Sequence, residues 1–227
     1  MAGQETTAYA LRVLVLALLH NPAVIKTAQA QLDSVCGSRG PSFEHRERLP
    51  YIEAIVKETI RWRPVAPIGV FHSATEEVKF QGFVIPKGTL FLDNIWSASW
   101  AQSRDPALFP NPDTFEPARF LDAAGNLCPQ TPDSNLLGFG RGRRVCPGRD
   151  FANAGLFIAA ASMLWSFDFE WPVDVNGKQI VCDTFEMEDH TILSTVRPFE
   201  IKVTPRHASL EEKLFEMLKE RDTSTSA

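Results

Sequence analysis

Leu11, Val15, Leu18 and Leu19 recur at helical spacing near the start of the chain, so the sequence opens inside a helix. Asn21-Pro22 stops that helix and starts another, because proline suits a first helical turn. The second helix is predicted over Pro22–Cys36, broken by Gly37-Ser38-Arg39-Gly40-Pro41. A third is predicted over about Pro50–Trp62, ending before Pro64. The texture then changes. From Phe71 to Phe91 the chain is rich in β-branched and aromatic residues and punctuated by Gln81-Gly82 and Pro86-Lys87-Gly88, which predicts short antiparallel strands. Residues 104–137 carry repeated prolines and little periodicity, an irregular stretch of a length that is often functional. A glycine-rich loop follows, then an apolar helix over about Gly148–Phe167 and further strands across 168–205. Leu210, Leu214, Met217 and Leu218 outline a last amphipathic helix, and residues 222–227 are expected to be disordered. With no internal repeat and no clear linker, residues 1–227 are read as one domain.

Composition narrows the functions. The net charge is -5, which argues against nucleic acid as a partner. Hydrophobic residues make up 44% of the chain, enough for a globular core. Among the 4 cysteines no pair is spaced as CxxC, which argues against a zinc or thioredoxin-like site and fits a reducing compartment. The 5 histidines form no HxxxH pair. No basic stretch followed by an apolar core marks a signal peptide, and the run Val13–Leu19 is far shorter than the ~20 residues of a membrane span.

The strongest chemical signal is Phe139-Gly140-Arg141-Gly142-Arg143-Arg144-Val145-Cys146-Pro147-Gly148. A metal-ligating cysteine must be a thiolate. Here glycines and arginines precede the cysteine and a helix begins just after it, so the helix N-terminus adds positive potential and free N–H groups. Glycines let the backbone approach a flat cofactor closely. Pro147 has no N–H, which leaves Gly148 and Arg149 as expected amide donors to sulfur, with Phe139 shielding it. A phosphate-cradling loop is the competing reading, but the Lys-Ser/Thr ending of that motif is missing.

This segment resembles the F-x-x-G-x-R-x-C-x-G signature of the cytochromes P450 at every defined position: Phe139, Gly142, Arg144, Cys146 and Gly148. Three further segments resemble the family's motifs in the family's order. Glu58-Thr59-Ile60-Arg61 is similar to the E-x-x-R element, whose spacing places both charges on one helix face. Phe115-Glu116-Pro117-Ala118-Arg119-Phe120 is similar to the P-E-R-F element, with Ala118 where Glu is more usual. Ala2-Gly3-Gln4-Glu5-Thr6-Thr7 resembles the oxygen-activation segment, although an ordinary helix start capped by Thr6 or Thr7 accounts for it equally on its own.

The resemblance implies a fold that is mainly α with small antiparallel β-sheets, the C-terminal part of the cytochrome P450 fold. It implies haem b with Cys146 as axial thiolate, a ligand that pushes electron density onto the iron. Glu5 and Thr6 would be catalytic, Thr6 bonding to dioxygen and Glu5 relaying protons. Glu58, Arg61 and Arg119 would form a buried structural triad. His72 and Arg144 would hold the haem propionates, a partly buried strand histidine being the blander reading of His72. Val65, Ala66, Ile68, Val70 and Ile192 would line an apolar substrate pocket. Arg141, Arg143 and Arg149 would face an acidic reductase, or simply be solvated. The implied activity is monooxygenation of a small apolar substrate by O2, with electrons from NADPH–cytochrome P450 reductase or a similar flavoprotein. Full-length relatives usually sit on the endoplasmic reticulum membrane, facing the cytosol, and carry a long N-terminal region before the point where Met1 falls. A truncated, non-catalytic product retaining the signature is the alternative. Arg61-Trp62-Arg63-Pro64 resembles fungal members.

Overall fold

The computed structural model describes residues 2–66, 71–92, 101–129, 138–140, 142–184, 186–190, 193–207, 210 and 212. Four of the predicted helices form: α1 over Ala2–His20, α2 over Pro22–Cys36, α3 over Pro50–Trp62 and α4 over Arg149–Ser166, while the last predicted helix, with Leu214, Met217 and Leu218, lies outside the described residues. Proline opens α2 and α3, as predicted. The Asn21 side chain also donates to the Ala17 carbonyl at 2.8 Å, so one residue closes α1 and hands the chain to α2. Gly37, at φ +55°, ends α2 in a conformation that disfavours a side chain. Thr6 and Thr7 lie within α1 rather than at its start, so neither caps the helix.

The eight described strands form four separate antiparallel pairs. β1 (His72–Ser73) pairs with β4 (Leu90–Phe91), and β2 (Val78–Phe80) with β3 (Phe83–Ile85). β5 (Phe167–Glu170) pairs with β8 (Lys202–Pro205), and β6 (Met187–His190) with β7 (Leu193–Val196). The described part of the irregular stretch contains a 3-10 turn at Pro117–Phe120 and an isolated bridge between Leu121 and Leu127.

α1 is the central helix. Val13, Leu14, Leu16, Ala17 and Leu18 are buried on every side, because α2, α3, α4 and β7 all pack around it. Each fully buried aliphatic side chain contributes about 1.5–3 kcal/mol, so this helix is a principal source of stability. The same core takes in Leu32 of α2, Ile52 and Ile55 of α3, and Phe157, Leu164 and Trp165 of α4. Trp165 donates its indole N–H to the Gly37 carbonyl at 3.0 Å, which pins the end of α2 to α4. Among the described residues no single helix is long and apolar enough to cross a membrane.

Candidate active site

α3 supplies the brace beneath the site. The Arg61 guanidinium grips the Glu58 carboxylate with two bonds, Nε to Oε2 at 2.6 Å and Nη2 to Oε1 at 2.8 Å. Arg119 reaches the same carboxylate from the 3-10 turn, Nε to Oε1 at 3.1 Å, and the Glu116 amide adds a bond at 2.8 Å. The side chains of Glu58 and Arg61 are fully buried and that of Arg119 nearly so. The remaining guanidinium donors gather carbonyls of the irregular stretch. Arg61 bonds Ser103, Pro112 and Thr114, while Arg119 bonds Pro110, Asn111 and Thr114. Trp62 joins them through its indole N–H to the Asp113 carbonyl at 2.9 Å. A segment without regular hydrogen bonding is thus held by the side-chain donors of Arg61, Trp62 and Arg119.

The cysteine loop sits at the start of α4. The Cys146 amide donates to the Phe139 carbonyl at 2.8 Å, which closes the loop into a tight turn. Gly140 at φ +75° and Gly142 at φ +64° make the reversals that larger residues resist. Cys146 is an exposed free thiol. A Cβ added at Gly148 would lie 3.9 Å from its Sγ, so the sulfur stands against the first turn of α4. The Arg149 amide donates to the Cys146 carbonyl at 3.3 Å, not to sulfur as expected, because it closes the first turn of α4. Arg143 and Arg144 are exposed on the same loop, and Arg149 pairs with Asp150 at 3.1 Å.

Between α1 and this loop lies a small apolar cleft of about 50 Å³, open to solvent. Thr6, Thr7 and Ala10 of α1 form one wall; Gly138, Phe139, Ala152 and Leu156 form another; Thr59, Ile60, Arg63, Pro64 and Val65 close the side. The cleft therefore brings Thr6 and Val65 together with Phe139 of the cysteine loop. Glu5 is exposed and Ala66 half-buried, and neither lines the cleft. His72 lies exposed on β1, opposite Phe91, and Arg144 is exposed, both outside the lining. Ile68, Val70, Ile192 and Arg141 lie outside the described residues.

Sequence reasoning missed Thr7, Ala10, Thr59, Ile60, Arg63, Pro64, Gly138, Ala152 and Leu156. A helical signal existed for several of them: Thr6 and Ala10, Thr59 and Arg63, and Ala152 and Leu156 are each spaced i,i+4, one turn apart on one helix face. Arg63 is almost fully buried, stacks on Trp62 at 4.3 Å and donates to the Trp62 carbonyl at 2.8 Å. Burial, with repulsion from Arg104, lowers its pKa to about 9.

The cytochrome P450 family profile matches residues 1–203, and the chain belongs to that family. Cytochrome P450 monooxygenase 58 of the fungus Postia placenta is 43% identical over 208 residues, which cover 90% of this chain and 39% of that protein. Cytochrome P450 monooxygenase aneD of Aspergillus aculeatus is 36% identical over 223 residues, covering 97% of this chain and 41% of its own. The solved structure of a zebra fish cytochrome P450 with abiraterone superposes with a TM-score of 0.74 at 33% identity, over 91% of this chain and 46% of that one. The fold is accordingly the mainly α portion of the cytochrome P450 architecture with its small sheets, and the family binds haem iron. The chain spans about two-fifths of the length of these curated relatives.

Proposed function

We propose that these residues form the haem-binding part of a monooxygenase that inserts one atom of O2 into an apolar organic substrate and releases the other as water. NADPH supplies the electrons through a flavoprotein reductase. The observation that carries this reading is the cleft itself, with Thr6 on one wall and the loop of Cys146 on another.

The residues present fit haem b. Cys146 offers an exposed, unbridged sulfur, the glycine turn leaves a path for close approach, and the cleft walls are apolar. Cys146 would ligate the iron, with His72 and Arg144 as donors to the propionates. When bound, haem supplies the redox chemistry that activates O2. The chain's own part is to orient and to exclude water. Phe139 holds the Cys146 backbone in place through the 2.8 Å amide bond and walls the cleft beside the sulfur. Thr6, on the wall opposite the cysteine loop, would act as a hydrogen-bond donor, and Glu5, exposed one residue earlier, would pass protons from solvent. Val65 contributes to an apolar wall that fits an apolar substrate, and the resemblance would add Ala66, Ile68, Val70 and Ile192 to the substrate pocket. Arg143, with Arg141, gives the loop a positive face for an acidic reductase, to which Arg149 adds less because Asp150 neutralises it.

Turnover in isotopically labelled dioxygen tests this reading. The haem-loaded protein, given reductase, NADPH and a panel of apolar substrates, should yield product carrying label from O2. Product oxygen drawn from water, or product formed equally without reductase, would refute it.

A further inference from the structure

We infer that Gly138 is a positioning residue for Cys146: its missing side chain lets the entry to the cysteine loop rest directly on Ile60 of α3, and this contact sets where the loop holds Cys146. The inference rests on the reading of Cys146 as the iron ligand.

The loop's glycines do two different jobs. Gly140 and Gly142 have positive φ and open space where a Cβ would be, so they serve backbone conformation. Gly138 shows no such φ, yet a Cβ built on it would lie 2.6 Å from the Ile60 Cγ2 methyl. Carbon atoms at optimal contact stand about 3.5–4.0 Å apart. Gly138 is therefore required for space alone.

Ile60 cannot step aside. It is only 8% exposed, and a β-branched side chain in a helix holds one strongly preferred rotamer. Its neighbours are fixed as well: the Thr59 hydroxyl bonds the Ile55 carbonyl at 2.8 Å, and Arg61 is fully buried in the charge network. A side chain at 138 would thus push the loop rather than α3. The displacement has a short path to the sulfur. Phe139 follows directly, and its carbonyl accepts the Cys146 amide at 2.8 Å. Gly138, Phe139 and Ile60 all line the same cleft, so the move would occur where the cofactor must fit.

The test compares wild type, Gly138→Ala, Ile60→Ala and the double variant, all haem-loaded, by the reduced CO spectrum and by haem affinity. Overpacking of this size should lower haem affinity about tenfold in Gly138→Ala and strip the thiolate-type Soret band from most of the bound haem. Ile60→Ala alone sets the reference level for a cleft that lacks the clashing methyl. The double variant should recover it to the level of Ile60→Ala, since the clashing methyl is gone. Thermal midpoints of the haem-free proteins should follow the same order, so a poorly loading Gly138→Ala still gives a result. A Gly138→Ala protein with the wild-type band and affinity overturns the inference, as does a double variant no better than Gly138→Ala. Either outcome leaves Cys146 as the ligand, because wild type still shows the band. A wild type without the band would overturn both.

Discussion

Arg61→Ala should destabilise the protein severely. The lost side chain is fully buried and makes two bonds to Glu58 and three to the carbonyls of Ser103, Pro112 and Thr114. Breaking a buried charge pair by removing one partner costs about 3–5 kcal/mol. Glu58 would not be left alone, because Arg119 and the Glu116 amide still reach it, so this component falls toward ~3 kcal/mol. The carbonyls add to it, since a buried acceptor stripped of its donor costs roughly 1–3 kcal/mol, less where water enters the space. The sum is about 4–6 kcal/mol, against a total stability of about 5–15 kcal/mol for an ordinary domain. Equilibrium denaturation would show the midpoint falling by roughly a quarter or more, or no folded protein at all. Arg61→Lys, which keeps the charge but not the planar fork, should fall between. A midpoint for Arg61→Ala within ~1 kcal/mol of wild type would show that the network does not brace the irregular stretch.

Other outcomes follow from the same geometry. Thr6→Ala should retain haem but divert reducing equivalents to hydrogen peroxide, read as less product per NADPH consumed; an unchanged ratio would remove Thr6 from proton delivery. His72→Ala and Arg144→Ala should each speed haem loss to an acceptor globin by roughly tenfold or more, as expected for a charge-assisted bond of ~1.5–3 kcal/mol; equal loss rates would place the propionates elsewhere. In the haem-free protein a thiol reagent should label exposed Cys146 first and Cys36, only 5% exposed, last. Burial pushes the Cys36 thiol above its ordinary value of 9.0, so the fold favours the neutral thiol. The stability this group lends is complete below about pH 9 and drains as pH rises through the raised value, and replacing Cys36 with Ala should flatten that part of an alkaline denaturation profile.

The helices were legible because their punctuation is local. Pro22 and Pro50 open α2 and α3, and Pro64 lies just past the end of α3, all fixed by backbone geometry whatever the tertiary setting. The cysteine loop was legible for a different reason: a thiolate, glycine turns and a helix start must be contiguous to act together. The pairing of Glu58 with Arg61 could be anticipated from spacing, and their meeting with Arg119 from the resemblance alone. The direction of the Arg149 amide could not, since it depends on how the first turn of α4 closes. Nor could the role of Gly138, which looks like one more loop glycine until Ile60 is placed beside it. The cleft wall formed by Thr59 and Ile60 escaped notice because these residues read as the interior of an amphipathic helix. Their role comes from the cleft that opens between α3, α1 and the cysteine loop.

The central claim is that Cys146 presents a thiolate to haem iron in this cleft. The absorption spectrum of the reduced, CO-bound protein measures this directly. Wild type should show the thiolate-type Soret band, and Cys146→Ala should lose either the haem or that band. A thiolate-type band that survives in Cys146→Ala, or haem bound by wild type without it, would contradict the account.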